Sequence, residues 1–288
     1  MSGWLVTGAG GMLGRDLVAG LTRQGEDVAG LSRGQLDVTD GPAVLAAMRR
    51  HRPAVVVNCA AWTAVDAAEQ RPGAALRVNG HGAGQVAAAC AATGAWLVQV
   101  STDYVFGGES SRPYAEDDPP APRTAYGRGK LAGERAVRER LPGASYVVRT
   151  AWLYGAHGGN FVRTMIRLAG ERPFVEVVTD QRGQPTWTAD LAAQVIALVR
   201  AGAAAGIYHA ASSGETTWFG LAQEVFTLLG ADPARVRPAS SAALARPARR
   251  PAYSVLGHER HRCAGIEPIG HWRDALRRAF PLLLAAES

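Results

Sequence analysis

The sequence predicts an α/β protein, a doubly wound parallel sheet with a smaller C-terminal lobe closing over it. Three observations carry that expectation. Up to about residue 150, short β-branched runs bounded by Gly, Asp and Pro alternate with stretches of helical periodicity, the pattern of βαβ units on a buried parallel sheet. A glycine-rich turn directly follows the first run. Beyond about residue 155 the alternation loosens into Gly/Pro-rich loops with scattered helices, as a separate lobe would show.

Taken in order, GWLVTG reads as the first strand and 12–24 as the first helix. DVAGLS then precedes a helix over 42–50, AVVVNCA one over 74–92 and AWLVQVS one over 125–140, and SYVVRTAW closes the series. A Rossmann-type nucleotide-binding domain is expected over 1–155. Residues 156–288 are expected to form mainly a substrate-binding lobe, with some segments returning to the core. Its helices fall at 160–169, 188–201, 216–229 and 271–284, its strands at FVEVV and GIYHAA, and SSAALARPARRPA (240–252) reads as a surface loop.

The chain has 288 residues, 47% of them hydrophobic, enough for a sizeable core. Its apolar runs are too short for membrane spans and its first residues do not form a signal peptide, so a cytoplasmic protein without a membrane partner is expected. Cys59, Cys90 and Cys263 lie far apart and in no CxxC arrangement, which predicts three reduced thiols; the histidines form no ligand constellation, and no metal site is expected. A net charge of +6 would suit an acidic partner. The arginines are spread along the chain with no aromatic-basic module, which argues against nucleic acid and for a small phosphorylated molecule.

Gly8, Gly11 and Gly14 in VTGAGGMLGRDL stand between the first strand and the first helix. A tight turn, close backbone approach to a pyrophosphate, and close helix–strand packing each exclude a Cβ, while the helix N-terminus offers N–H donors to the anion. The second strand ends in Ser32 and Arg33, where an acid would select NAD by its ribose hydroxyls. A hydroxyl and a guanidinium suit a 2'-phosphate instead, so NADPH is expected, with NADH as the alternative.

Among 31 basic side chains one is a lysine, Lys130, and it stands four residues after Tyr126 at the start of the 125–140 helix. An i, i+4 pair shares a helical face. An ammonium there favours the phenolate and is expected to pull the tyrosine pKa down from about 10 toward neutrality, each unit being worth about 1.4 kcal/mol. Arginine's rigid fork cannot replace a compact ammonium that also reaches a ribose hydroxyl. Gly127 and Gly129 each weaken the helix by roughly 1 kcal/mol and are read as clearance for cofactor and substrate.

With the glycine turn and VSTDYVF at the end of the fourth strand, this pair resembles the extended short-chain dehydrogenase/reductase superfamily. NCAAWTAVDAAE, VSTDYVFGG, AYGRGKLAGE, VVRTAWLYG, NFVRTM, DQRGQPTW and RRPAYSVL, in that order along nearly the whole chain, resemble the dTDP-4-dehydrorhamnose reductase family. The resemblance implies NADPH-dependent reduction of the C4 ketone of a dTDP-4-keto-6-deoxyhexose, for rhamnose or an antibiotic sugar, and is compatible with a homodimer. It implies Tyr126 as proton donor, Lys130 as its partner and Thr102 as hydrogen-bond donor to the carbonyl.

The resemblance further implies cofactor contacts at Gly11, Met12, Leu13, Ser32, Asp37, Val38, Ala61, Trp62, Thr63 and Val100, and substrate contacts at Thr102, Asp103, Tyr104 and Trp152. Asn160, Gln184, and Arg249 or Arg250 are further substrate candidates. His258 and His261 read as surface residues. Two rival functions stand beside this one. A superfamily dehydratase or epimerase would need an Asp-Glu pair after the threonine for the elimination, but Tyr104 follows Asp103 here. A non-catalytic regulatory subunit would not need Thr102, Tyr126 and Lys130 together.

Overall fold

A computed structural model describes residues 3–243 and 246–286. A central six-stranded sheet is built in the order β10-β5-β4-β3-β1-β2, every pairing parallel. Its first half runs β1 (Trp4–Thr7), α1 (Met12–Arg23), β2 (Val28–Leu31), α2 (Gly41–His51) and β3 (Val55–Asn58). Then come α3 (Val65–Gln70), α4 (Pro72–Leu76), a π-helical segment (Arg77–Gly82), α5 (Ala83–Thr93), β4 (Trp96–Thr102), α6 (Ala125–Arg140) and β5 (Ser145–Thr150). The helix expected over 74–92 is therefore present but carries a π-turn inside it.

Successive strand residues point to opposite faces, which divides the core in two. Trp4, Val6, Val55, Val57, Val98 and Tyr146 face the layer of α1 and a later helix at Thr188–Arg200, whereas Leu5, Val56, Leu97 and Val147 face Val44, Met48, Val86 and Cys90 of α2 and α5. Each such fully buried aliphatic side chain contributes about 1.5–3 kcal/mol. Burial on both faces explains why these strands read as continuous apolar runs.

The chain continues through β6 (Leu153–Tyr154), α7 (Phe161–Glu171), β7 (Val175–Val178), β8 (Arg182–Gly183), β9 (Thr186–Trp187), α8 (Thr188–Arg200) and β10 (Gly206–His209). It ends with β11 (Thr216–Thr217), α9 (Trp218–Leu228), β12 (Val236–Ala239), α10 (Glu259–Cys263) and α11 (Trp272–Ala285). GIYHAA, grouped above with the lobe, forms β10 and extends the main sheet beside β5. The preceding α8 packs its Leu191, Val195 and Leu198 into the α1 side of the core. A separate core of Tyr154, Val162, Met165, Leu221, Phe226, Trp272 and Phe280 unites α7, α9 and α11 beyond the sheet.

The described part of the 240–252 segment is a mostly exposed loop; Leu244 and Ala245 lie outside the described residues. No helix among the described residues is long and apolar enough to cross a membrane. The three cysteines are unpaired thiols.

Candidate active site

The expected site residues converge at the carboxyl ends of the parallel strands, where such sheets place their ligands. The turn after β1 is tight. Gly8 has φ +67°, and a Cβ on it would lie 2.7 Å from the Ala60 nitrogen; a Cβ on Gly14 would run into the Gly8 carbonyl oxygen. These glycines thus let β1, the turn and the loop after β3 lie against one another. Gly11 caps α1 with extended backbone and no side-chain hydrogen bond, and the first turn holds no acidic residue. With no acid in that turn, its N–H groups suit an anion such as a pyrophosphate.

Around this turn, Met12 is half-buried and Leu13 is core. Ser32 hydrogen-bonds Gln35 Oε1 through both its N–H and its hydroxyl, and Arg33 is exposed beside it. Asp37 accepts from the Thr39 N–H and hydroxyl, which hold its carboxyl below the usual range, while Val38 is buried. The loop with Ala61, Trp62 and Thr63 is fixed by Asn79: the Trp62 N–H donates to Asn79 Oδ1 at 2.8 Å and Asn79 Nδ2 donates to the Trp62 carbonyl at 3.0 Å. Sequence reasoning missed Asn79.

Across the turn, β4 ends in Val100, Ser101 and Thr102, and α6 begins with its N-cap Thr124, whose hydroxyl accepts from the Gly127 N–H. Lys130 is 4% exposed and its Nζ donates to the Val100 carbonyl at 2.6 Å. Burial lowers its pKa to about 8, against the pull of Glu134. Tyr126 is half-buried, with Tyr104 packed edge-on at 5.6 Å. The expected lowering of the Tyr126 pKa is not found. Burial pushes the phenol up to about 12, a Thr102 hydrogen bond opposes this, and the lysine, turned to Val100, exerts no resolved pull.

Thr102 is 5% exposed; its hydroxyl donates to Asp103 Oδ1 at 2.9 Å and accepts from the Tyr104 N–H at 3.2 Å. Asp103 is 2% exposed, and burial raises its pKa to about 6.

The glycines of α6 have another reason than the one expected. A Cβ on Gly127 would run into the Tyr104 carbonyl oxygen, one on Gly133 into that of Asn79, and one on Gly129 would sit 3.4 Å from Asn79 Cβ. Gly127 and Gly133 make room for the chain's own backbone, whereas a Cβ on Gly129 would meet only an ordinary contact. Behind them Glu134 and Arg149, both 2% exposed, form a two-pronged pair at 3.0 and 2.8 Å. Ser101 donates to the same carboxylate at 2.5 Å. This pair ties α6 to β4 and β5 one turn beyond Lys130; GERAVRER looks like a charged surface, and nothing in it marks one acid as buried.

The substrate candidates separate. Trp152 sits at φ +46°, strained for a bulky residue, and stacks on Trp218 at 3.6 Å against Gly183. Asn160 is the N-cap of α7: its Oδ1 accepts from the Arg163 N–H, and its Nδ2 donates to the Gly155 carbonyl and lies 3.7 Å from Met12 Sδ. Both ends of its amide are engaged, so its role is to seat the 155–160 loop on the glycine turn. Gln184 is likewise engaged, bonding both the N–H and the carbonyl of Leu256.

Arg249 pairs with Glu109 on the rim, whereas Arg250 is deeper and pairs with Asp66. Both line a small cavity with Tyr104, Phe106 and Arg123. His258 and His261 are not surface residues: at 5% and 1% exposure they lie beside β10, whose last residue is His209, and burial holds all three below their usual pKa.

Fold and site define a nucleotide-dependent oxidoreductase of the extended short-chain dehydrogenase/reductase type. The family profile described as the RmlD substrate binding domain matches residues 2–284. A dTDP-4-dehydrorhamnose reductase of Streptomyces griseus is 62% identical over 97% of this chain and 93% of its own. A dTDP-4-keto-6-deoxy-D-glucose reductase of Streptomyces niveus is 56% identical over 99% of each chain. The crystal structure of dTDP-4-dehydrorhamnose reductase from Bacillus anthracis in complex with NADP superposes with a TM-score of 0.94 at 38% identity, covering 98% of this chain and 99% of that one. The chain belongs to the dTDP-4-dehydrorhamnose reductase family.

Proposed function

We propose that this protein reduces the C4 ketone of a dTDP-4-keto-6-deoxyhexose, using NADPH as the hydride source. The observation that carries the reading is the meeting of Thr102, Tyr126 and Lys130 at the carboxyl end of β4, beside a glycine turn whose following helix has no acidic residue in its first turn.

When bound in this site, NADPH would supply the hydride for the carbonyl carbon. The Tyr126 phenol gives its proton to the oxygen as negative charge develops there, and the Thr102 hydroxyl donates a hydrogen bond to that oxygen. Lys130, buried with a lowered pKa, would present its ammonium to the nicotinamide ribose. The Gly8–Gly14 turn would hold the pyrophosphate, Ser32 and Arg33 the adenosine 2'-phosphate, and Asp37, Val38, Ala61, Trp62 and Val100 the remaining cofactor surface. Thr102, Asp103, Tyr104, Trp152 and Arg250 would face the sugar nucleotide.

A dehydratase reading fares worse because the position after Asp103 is Tyr104, which packs on Tyr126 and offers no second carboxylate. The 62% relative favours an L-series substrate and the 56% relative a D-series one. NADPH oxidation with dTDP-4-keto-6-deoxyglucose, with and without a 3,5-epimerase, tests the function, and the C4 configuration of the product is read by NMR. Product that requires the epimerase is expected. Product without it moves the substrate to the D-series, and no NADPH oxidation in either arm overturns the reading.

A further inference from the structure

The short helix α3 carries two acids, Asp66 and Glu69, and each reaches to a different part of the site. The helix itself is anchored through Ala68, fully buried in a contact with Ala125 of α6 around which Trp62 and Tyr126 pack. Glu69 Oε1 accepts from the Ala125 N–H at 2.6 Å, a bond between residues 56 apart in sequence. That N–H is the first of α6, whose first turn holds no acid of its own, while the N-cap Thr124 takes the Gly127 N–H. Two side chains from outside the helix body therefore fix the N–H groups on either side of Tyr126, which no turn of α6 could satisfy.

Asp66 holds the opposite side. Its Oδ1 accepts from the Ala248 N–H at 3.1 Å and its Oδ2 from Arg250 Nη2 at 2.8 Å, and Arg250 Nη1 donates to the Ala248 carbonyl at 3.3 Å. The three bonds close a ring. Of the three arginines that line the small cavity with Tyr104, Arg123 and Arg249 are exposed and share Glu109 on the rim. Arg250 is 15% exposed and engaged at both prongs of its fork.

We propose that Glu69 and Asp66 are positioning residues that make α3 a spacer between two working groups, Glu69 setting the place of the Tyr126 phenol and Asp66 that of the Arg250 guanidinium. This rests on the reductase reading given above, in which Tyr126 gives the proton and Arg250 faces the sugar nucleotide. A guanidinium suits the charged diphosphate of such a ligand. A ketosugar anchored there must still bring its C4 oxygen to the phenol, so the separation of the two groups has to match the ligand. Loss of Glu69 frees the start of α6, and the phenol loses alignment with an oxygen that still binds, which slows the chemical step. Loss of Asp66 leaves the guanidinium to be ordered by the ligand, which weakens binding.

The test uses the full chain with NADPH and the dTDP-4-ketosugar. Wild-type NADPH oxidation is the control: if it is absent, the reductase reading fails and the spacer with it, whereas the outcomes that follow fail the spacer alone. Glu69→Ala should lower the first-turnover rate at saturating ketosugar, read by rapid mixing, about tenfold, with the KM for either substrate within about twofold of wild type. Glu69→Gln keeps the length and an acceptor oxygen and should restore the rate. Glu69→Asp keeps the charge but falls one methylene short and should not. An alanine variant as fast as wild type, or rescue by Asp and not by Gln, overturns the role of Glu69. Asp66→Ala should raise the ketosugar KM about tenfold while the first-turnover rate at saturation and the KM for NADPH stay within about twofold of wild type. Calorimetric titration with dTDP alone gives a readout apart from turnover: its Kd should rise about tenfold in Asp66→Ala and hold steady in Glu69→Ala. A dTDP affinity that Asp66→Ala leaves unchanged or strengthens overturns the role of Asp66. Rate and affinity falling together in both variants overturns the spacer, because plain loosening of α3 would give that result.

Discussion

The turn after β1 and the first turns of α6 are both rich in glycine, and the two regions use it in opposite ways. At the β1 turn, glycine leaves backbone N–H groups as the functional surface, and no side chain of the turn carries chemistry. On α6, glycine removes side chains on the packed face so that the helix can press against Tyr104 and Asn79, and the chemistry resides in two side chains on that same helix, Tyr126 and Lys130. The first region binds with its main chain, and the second positions reactive groups by close packing. Substitutions in the first should therefore alter affinity, and those in the second should alter either chemistry or stability.

The largest expected effect is at Lys130. Lys130→Arg keeps the charge but loses the compact ammonium, and turnover should fall about 10²–10⁴-fold, with far-UV circular dichroism unchanged. Near-normal turnover would detach the lysine from the chemistry. Gly133→Val should destabilise by about 3 kcal/mol, because its branched side chain meets the Asn79 carbonyl rather than solvent. A urea midpoint equal to wild type would show that α6 is not packed as described.

On the binding side, Arg33→Ala should leave folding untouched and cut the NADPH-over-NADH preference in kcat/KM about tenfold, equivalent to ~1.4 kcal/mol. Equal preference before and after would remove Arg33 from the cofactor site. The smallest effect concerns pH. His258 and His261, with folded pKa values of about 4 against 6.5 for a free histidine, stay neutral in the fold while the unfolded chain takes up protons. Stability is thus at its full value above pH 6.5 and is lost as pH falls toward 4, offset in part by Asp103 and Glu116, whose raised pKa values act in the opposite sense. The melting temperature at constant ionic strength should fall between pH 7 and 5; a flat or rising profile would contradict the buried-neutral assignment.

The two regions also differ in how legible they were. Strand, turn and helix at β1–α1 follow from local pattern, and helix α6 runs over the same 125–140 that its periodicity predicts. Residue type and spacing brought out Tyr126 and Lys130, a chemically specific pair four residues apart, whereas Thr102 came only from the family resemblance. What remained hidden depends on distant partners. Gly127 and Gly133 face backbone from elsewhere in the chain, so their purpose could not be read from the helix alone.

Glu134 is indistinguishable in sequence from the exposed charges around it until Arg149 appears beside it, 15 residues away. The polar neighbours of His258 and His261 suggest a surface, yet one inward-facing position in the short helix α10 suffices to bury His261. The direction of the Tyr126 pKa was misjudged because spacing reports proximity of a charge and says nothing about desolvation, which dominates here.

The π-turn at Arg77–Gly82 has a consequence for anyone re-engineering this scaffold. A π-turn amounts to one residue inserted into an α-helix, and it rotates everything downstream by about 100°. Here it lets Asn79 clasp the Trp62 loop while Ala75 on one side and Ala83 and Gly84 on the other still meet α6. Removing a residue to regularise the helix would give a tidier secondary structure whose two halves no longer face their partners at once. The irregularity is a phase correction that allows one rod to serve two addresses.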